Sequence, residues 1–148
     1  MINILFFLAS FFFMEFVAWF SHKYIMHGFA WKFHRDHHIR QQASDSFFEK
    51  NDIFFLIYAL PAIILIIFGL AGAHIPMIVI GSGITLYGFT YFSIHDVLIH
   101  HRLPVKVSIG KGYIAALIRA HQAHHNGKNI RDFKNYGLLV FPLRFFKE

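Results

Sequence analysis

No cysteine occurs in the 148 residues. Disulfides and thiolate metal sites are therefore excluded, and the absence says nothing more about redox compartment. Charge is missing just as systematically. Residues 1–20 (MINILFFLASFFFMEFVAWF) carry one charge, Glu15, and residues 53–73 and 75–94 carry none. Each run is about twenty residues, the length at which a helix rising about 1.5 Å per residue crosses roughly 30 Å of hydrocarbon. The first run lacks the basic start and A-x-A-like cleavage site of a signal peptide, and it is too long for one. Proline is scarce, and only Pro61 falls in the interior of a run; neighbouring helices can satisfy the carbonyl it frees. No low-complexity tract or flexible linker divides the chain, so residues 1–148 are expected to form a single membrane-embedded domain.

Positive charge is absent from defined places too. All fourteen Lys and Arg lie in residues 22–52 or 100–148, and the turn around Gly72 to Pro76 has none. The positive-inside rule puts the N-terminus outside, residues 21–52 in the cytoplasm, 53–94 as a membrane hairpin and the tail in the cytoplasm. The expected fold is an all-α integral membrane protein with about three transmembrane helices, a fourth irregular span being the alternative. The shorter apolar runs YIAALIRA (113–120) and YGLLVFPLRFF (136–146) read as interfacial or partly sunk helices.

Histidine is what the chain has in excess. Ten of the twelve fall in four groups: His22 and His27; His34, His37 and His38; His95 and His100; His121, His124 and His125. On the expected topology all four groups meet at the cytoplasmic face, whereas His74 lies in the external turn. In HRDHH (34–38) and HQAHH (121–125) the positions i, i+3 and i+4 share a helix face, so each is expected to present three imidazoles toward one place. HxxxxH differs, because five residues of α-helix turn about 140° and rise about 7.5 Å. Such a pair serves two ions, or one ion if the helix end unwinds. The pattern HxxxxH then HxxHH occurs once in each half of the chain, a faint sign of duplication.

Imidazoles crowded together would repel when protonated and be costly to bury unpaired. A metal resolves both by demanding the neutral ring. Ten nitrogens overshoot structural or catalytic zinc and suffice for two five-coordinate ions. Imidazole suits iron, copper, nickel and zinc alike; an all-nitrogen dinuclear site with open positions best fits redox chemistry with dioxygen. Beside a membrane, the natural substrate is a lipid entering from the bilayer.

HKYIMHGFAWKFHRDHH (22–38), HDVLIHHR (95–102) and RAHQAHHN (119–126) resemble the bacterial β-carotene 3-hydroxylases of the fatty acid hydroxylase and sterol desaturase superfamily. EFVAWFSHKYIMHG is especially similar to the carotenoid branch; the histidine boxes alone specify only the superfamily. The resemblance implies a monooxygenase of the bacterial inner membrane that uses dioxygen, two iron ions and electrons from reduced ferredoxin. It would convert β-carotene through β-cryptoxanthin to zeaxanthin. It also implies that His22, His27, His34, His37, His38, His95, His100, His121, His124 and His125 are all iron ligands. The wider superfamily often shows HxxxH in the third box, so His100 and the adjacent His101 remain alternatives.

No catalytic side chain beyond the ligands, and no other cofactor-binding residue, is expected. Glu15, two helical turns before His22, could hydrogen-bond a ligand histidine or relay protons. Asp96 and Asp36 could orient imidazoles, Asp36 being placed in solvent with no catalytic part. The aromatic residues would line a tunnel for a polyene or face lipid. The formal charge of +6, concentrated on the cytoplasmic side, suits an acidic ferredoxin; no nucleic-acid partner is expected. The rival readings are a sterol or fatty-acyl hydroxylase or desaturase, a ketocarotenoid-forming enzyme, a membrane metal-binding or transport protein, and a haem electron carrier.

Overall fold

The computed structural model describes residues 1–39, 48–127 and 133–147. Its described residues are helical or irregular, with no strand. Helix α1 (Ile2–Phe20) runs directly into a wider π-helical segment, Ser21–Phe29, and α2 (Trp31–Ile39) follows. Gly28, at φ −105° and ψ −126°, breaks the winding before α2. Helix α3 (Asp52–Ala71) turns at Gly72 to His74 into α4 (Ile75–Tyr91), which also passes directly into π-helical turns, Phe92–Ile99. Helix α5 (Tyr113–His125) comes last, before a single 3-10 turn at Leu143–Phe146.

Three helical stretches are long and apolar enough to cross a membrane: Ile2–Phe29, Asp52–Ala71 and Ile75–Ile99. The first and third are longer than the apolar runs that announce them: the first continues through its HxxxxH box, and the third runs into its own and ends just before His100. Helix α4 packs on both α1 and α3. Small residues allow this approach: a Cβ on Gly83 would strike the Phe7 carbonyl and the Ser10 hydroxyl of α1, and one on Gly81 would lie 3.0 Å from the Ala62 carbonyl of α3. Packing of this kind replaces the hydrophobic drive that helices lack in lipid. The hydroxyls of Ser82, Thr85, Thr90 and Ser93 donate to carbonyls four residues earlier, so these polar side chains are satisfied within their own helix.

Most phenylalanines do not line a tunnel. Phe12, Phe13, Phe68 and Phe89 are exposed on the outer faces, and the buried ones among the described residues are Phe54, Phe133 and Phe145. Lipid-facing rings are the simpler account of the aromatic excess. The run 113–120 is helical as expected, within α5. The run 136–146 is not: only Leu143–Phe146 is helical. Its amides at 138–140 are taken by Glu15, and Pro142 has no amide proton to give a helix.

Candidate metal centre

Two groups of imidazoles form where the helices end. His22, His27, His34, His38 and His124 offer ring nitrogens all within 4.8 Å of one another, and so do His37, His100, His121 and His125. His95 completes the second group: its ring lies 4.7 Å from those of His100 and His121 and 4.8 Å from that of His37. All ten expected histidines are therefore brought together. His74 is exposed in the turn at the opposite end of α4. His101, exposed and at φ 50°, belongs to neither group, although it lines the adjoining cavity, while His100 Nε2 lies 3.1 Å from His121 Nε2.

The grouping crosses the sequence boxes. From HRDHH, His34 and His38 join the first group and His37 the second; from HQAHH, His121 and His125 join the second and His124 the first. A triplet does not point toward one place, as expected from shared-face spacing, because i+3 and i+4 lie about 100° apart around an α-helix and flank position i. The HxxxxH pairs do the reverse. Each lies on or at the end of π-helical turns, whose i to i+5 repeat brings residues five apart back toward one side. His22 and His27 thus serve one group, and His95 and His100 the other.

Partners at Nδ1 determine what the inner nitrogens present. His22 Nδ1 donates to the Tyr136 carbonyl (2.9 Å), His124 Nδ1 to the Lys134 carbonyl (2.9 Å) and His34 Nδ1 to Asn51 Oδ1 (2.7 Å). In the second group His37 Nδ1 donates to Glu49 Oε2 (3.2 Å) and His95 Nδ1 to Asp96 Oδ2 (3.1 Å). A neutral imidazole has one N–H, so these five rings turn a bare lone pair inward at Nε2. His22 Nε2 and His34 Nε2 then face each other at 3.0 Å with no proton between them. The buried Nε2 atoms of His37 and His95 have no hydrogen-bond partner among the described residues. A cation is what such an arrangement fits. Metal–imidazole bonds of about 2.1 Å place donors up to about 4.2 Å apart, close to the spread found here.

Protonation is opposed at the histidines of α2 and α5. Burial pushes His34 and His125 down to about 3 and His124 down to about 4, and neighbouring imidazoles add to the effect. His37, His38 and His121 are held well below the ordinary value for the same reasons. These six rings are neutral near pH 7, the form a metal requires.

The fatty acid hydroxylase family matches residues 7–146. The chain belongs to that family. Among its relatives are the β-carotene hydroxylase of Pantoea ananas, 39% identical over 87% of this chain and 71% of that protein, and the one of Pseudescherichia vulneris, 38% identical over 94% and 77%. The β-carotene hydroxylase of a Paracoccus species is 35% identical over 96% of this chain and 86% of its own length. No solved structure matches. The residues around the imidazoles divide into those legible in the sequence and those that are not.

Asp96 does orient an imidazole, and its other oxygen binds Arg102 at 2.8 Å, which also pairs with Asp52 of α3. Asp36 is half-buried and touches no imidazole; it accepts the backbone amides of His37 and Lys50. Glu15 is buried but reaches no histidine either. It accepts Tyr87 and three backbone amides instead. Glu49, Asn51 and the carbonyls of Lys134 and Tyr136 escape sequence reasoning. The two side chains left one faint signal, a polar cluster immediately before an uncharged span; carbonyls leave none. A cavity of about 400 Å³ borders the second group, lined by Glu49, Asp96, Arg102, Gln122 and Asn126 among others.

Proposed function

We propose that this chain, as one domain over residues 1–148, is a carotenoid hydroxylase acting at carbon 3 of the β-ionone rings of β-carotene, giving β-cryptoxanthin and then zeaxanthin. The ten histidines would hold two iron ions: His22, His27, His34, His38 and His124 one, and His37, His95, His100, His121 and His125 the other. Dioxygen would be co-substrate and reduced ferredoxin the electron donor. The observation that carries this reading is the set of five Nδ1-anchored rings with lone pairs turned inward, in a family whose similar members include β-carotene hydroxylases.

Iron supplies, when bound, the dioxygen activation that cleaving an unactivated C–H bond requires. The chain's own residues do the rest. Tyr136, Lys134 and Asn51 keep the protons of His22, His124 and His34 on Nδ1, and Glu49 and Asp96 do so for His37 and His95. Phe133 and Trp31 pack on the rings of the first group and keep water from it. The positive-inside distribution supports a bacterial inner-membrane location with the histidines on the cytoplasmic side, where the ring of a membrane-dissolved carotenoid reaches them. Positive charge there suits an acidic donor such as ferredoxin.

Expression in a β-carotene-accumulating bacterium with its own ferredoxins tests the proposal. β-Cryptoxanthin should appear first and zeaxanthin later, with hydroxyl oxygen labelled from dioxygen. Label from water, or hydroxylation of a sterol or fatty acid while β-carotene stays intact, would contradict it.

A further inference from the structure

Residues 133–136, beyond α5, close over the first imidazole group. Phe133 sits 4.5 Å, ring to ring, from His27 and from His38. The Lys134 and Tyr136 carbonyls hold His124 and His22 at Nδ1, and the Tyr136 ring packs 5.2 Å from His27. Residues 133–140 are thus a strap across that group, without helix or strand bonds of their own.

Its far end is fastened to α1 through Glu15, and the Tyr113 hydroxyl of α5 also donates to the Leu139 carbonyl. The amides of Leu138, Leu139 and Val140 all donate to Glu15 Oε1, at 3.0, 2.9 and 3.0 Å. The other oxygen, Oε2, accepts the Tyr87 hydroxyl of α4 at 2.7 Å. Three successive amides aimed at one oxygen form an anion-binding concavity, here filled by a carboxylate of α1 that is 7% exposed. The strap is shaped to that contact: a Cβ on Gly137 would lie 2.5 Å from the Val140 carbonyl and 3.2 Å from Glu15 Oε1. An acid placed within an apolar span is expensive unless it has a task, and no imidazole is in its reach.

We infer that Glu15 is a positioning residue for the first imidazole group, acting through the strap: by fixing the amides at 138–140 it sets the Lys134 and Tyr136 carbonyls that orient His124 and His22. The inference rests on the reading of these rings as metal ligands. In the second group the Nδ1 contacts of His37 and His95 come from Glu49 and Asp96, outside the strap. A tether of the strap therefore acts on one metal, whereas a residue needed only for folding acts on both.

The test uses the full chain in detergent, with Glu15→Ala and Glu15→Gln beside wild type. Amide hydrogen exchange is followed in metal-free protein, and iron content after loading. In Glu15→Ala, exchange across 133–140 should rise at least about tenfold while α3 and α4 keep their protection. Iron should fall from about two per chain to about one. Glu15→Gln keeps an acceptor without the charge and should lie between. Unchanged strap exchange, or equal loss of both irons from a folded variant, overturns the inference. Should Glu15→Ala not fold, Tyr87→Phe serves. Faster strap exchange with faster chelation of one iron supports the tether; unchanged release, or equal acceleration for both irons, overturns it. Wild-type protein that binds no iron would count against the metal reading instead, and exchange in the metal-free chain would still decide whether Glu15 holds the strap.

Discussion

The two imidazole groups are built alike and supported differently. Each takes an HxxxxH pair and the i, i+4 histidines of one box, with the i+3 histidine of the other box crossing over. The first is oriented by neutral oxygens, the carbonyls of Tyr136 and Lys134 and the amide of Asn51. The second is oriented by the carboxylates of Glu49 and Asp96, and Asp96 is tied through Arg102 to Asp52. A carboxylate on Nδ1 raises the basicity of Nε2 more than a carbonyl does. The second group is thus the stronger donor set beside a polar cavity, and the first is the weaker set under aromatic cover. On the proposed reading, two similar imidazole sets would hold inequivalent metals.

Removing a crossing histidine gives the largest expected effect. His124→Ala should abolish activity and strip the metal of the first group, and His37→Ala should abolish activity and strip that of the second, each leaving about one iron per chain. Metal analysis of the two variants checks the crossing; if His37→Ala depleted the group of His34 and His38, the boxes would act as uncrossed triplets. Neutralising the second group's support comes next. Asp96→Asn leaves an oxygen on His95 but removes its charge, making the second group resemble the first, and iron affinity there should drop about tenfold. Competition with a chelator measures it; an equal drop in both groups would erase the proposed difference.

Acid gives a smaller, graded effect. The folded pKa values of His34, His124 and His125 lie below the unfolded value near 6.5, so the unfolded chain binds protons first. Metal-free protein should be most stable above that pH and lose stability as pH falls from about 6.5 toward 3, the loss levelling off below the folded values. Thermal melts across that range follow it, and a flat profile would mean the rings are not buried in solution. The smallest effect belongs to His74→Ala, which should leave iron content and product formation at wild-type levels because His74 is exposed at the opposite end of the bundle.

Much of this was legible in the sequence, for physical reasons. Runs of spanning length with at most one charge have no other good use, so the three helices long and apolar enough to cross a membrane followed from residues 1–20, 53–73 and 75–94. Ten imidazoles in repeated spacings left few alternatives to a metal, and all ten do converge. How they divide was not legible. An α-helical reading of HxxxxH separates His22 from His27, whereas π-helical winding, which has no simple residue signature, brings them together. The crossing of His37 and His124 depends on how α2 and α5 meet, a tertiary fact. Glu15 was identifiable as an unusual acid in a span, but its partners are the Tyr87 hydroxyl and three backbone amides more than a hundred residues away. Nothing in the letters of 138–140 announces them.

The most direct test of two unlike metal sites is iron content with Mössbauer spectroscopy on the purified, iron-loaded wild-type protein. About two irons per chain are expected, resolved as two distinct nitrogen-ligated ferrous environments of equal weight. A single iron per chain would contradict a dinuclear centre, and two irons in one identical environment would contradict the difference between the groups.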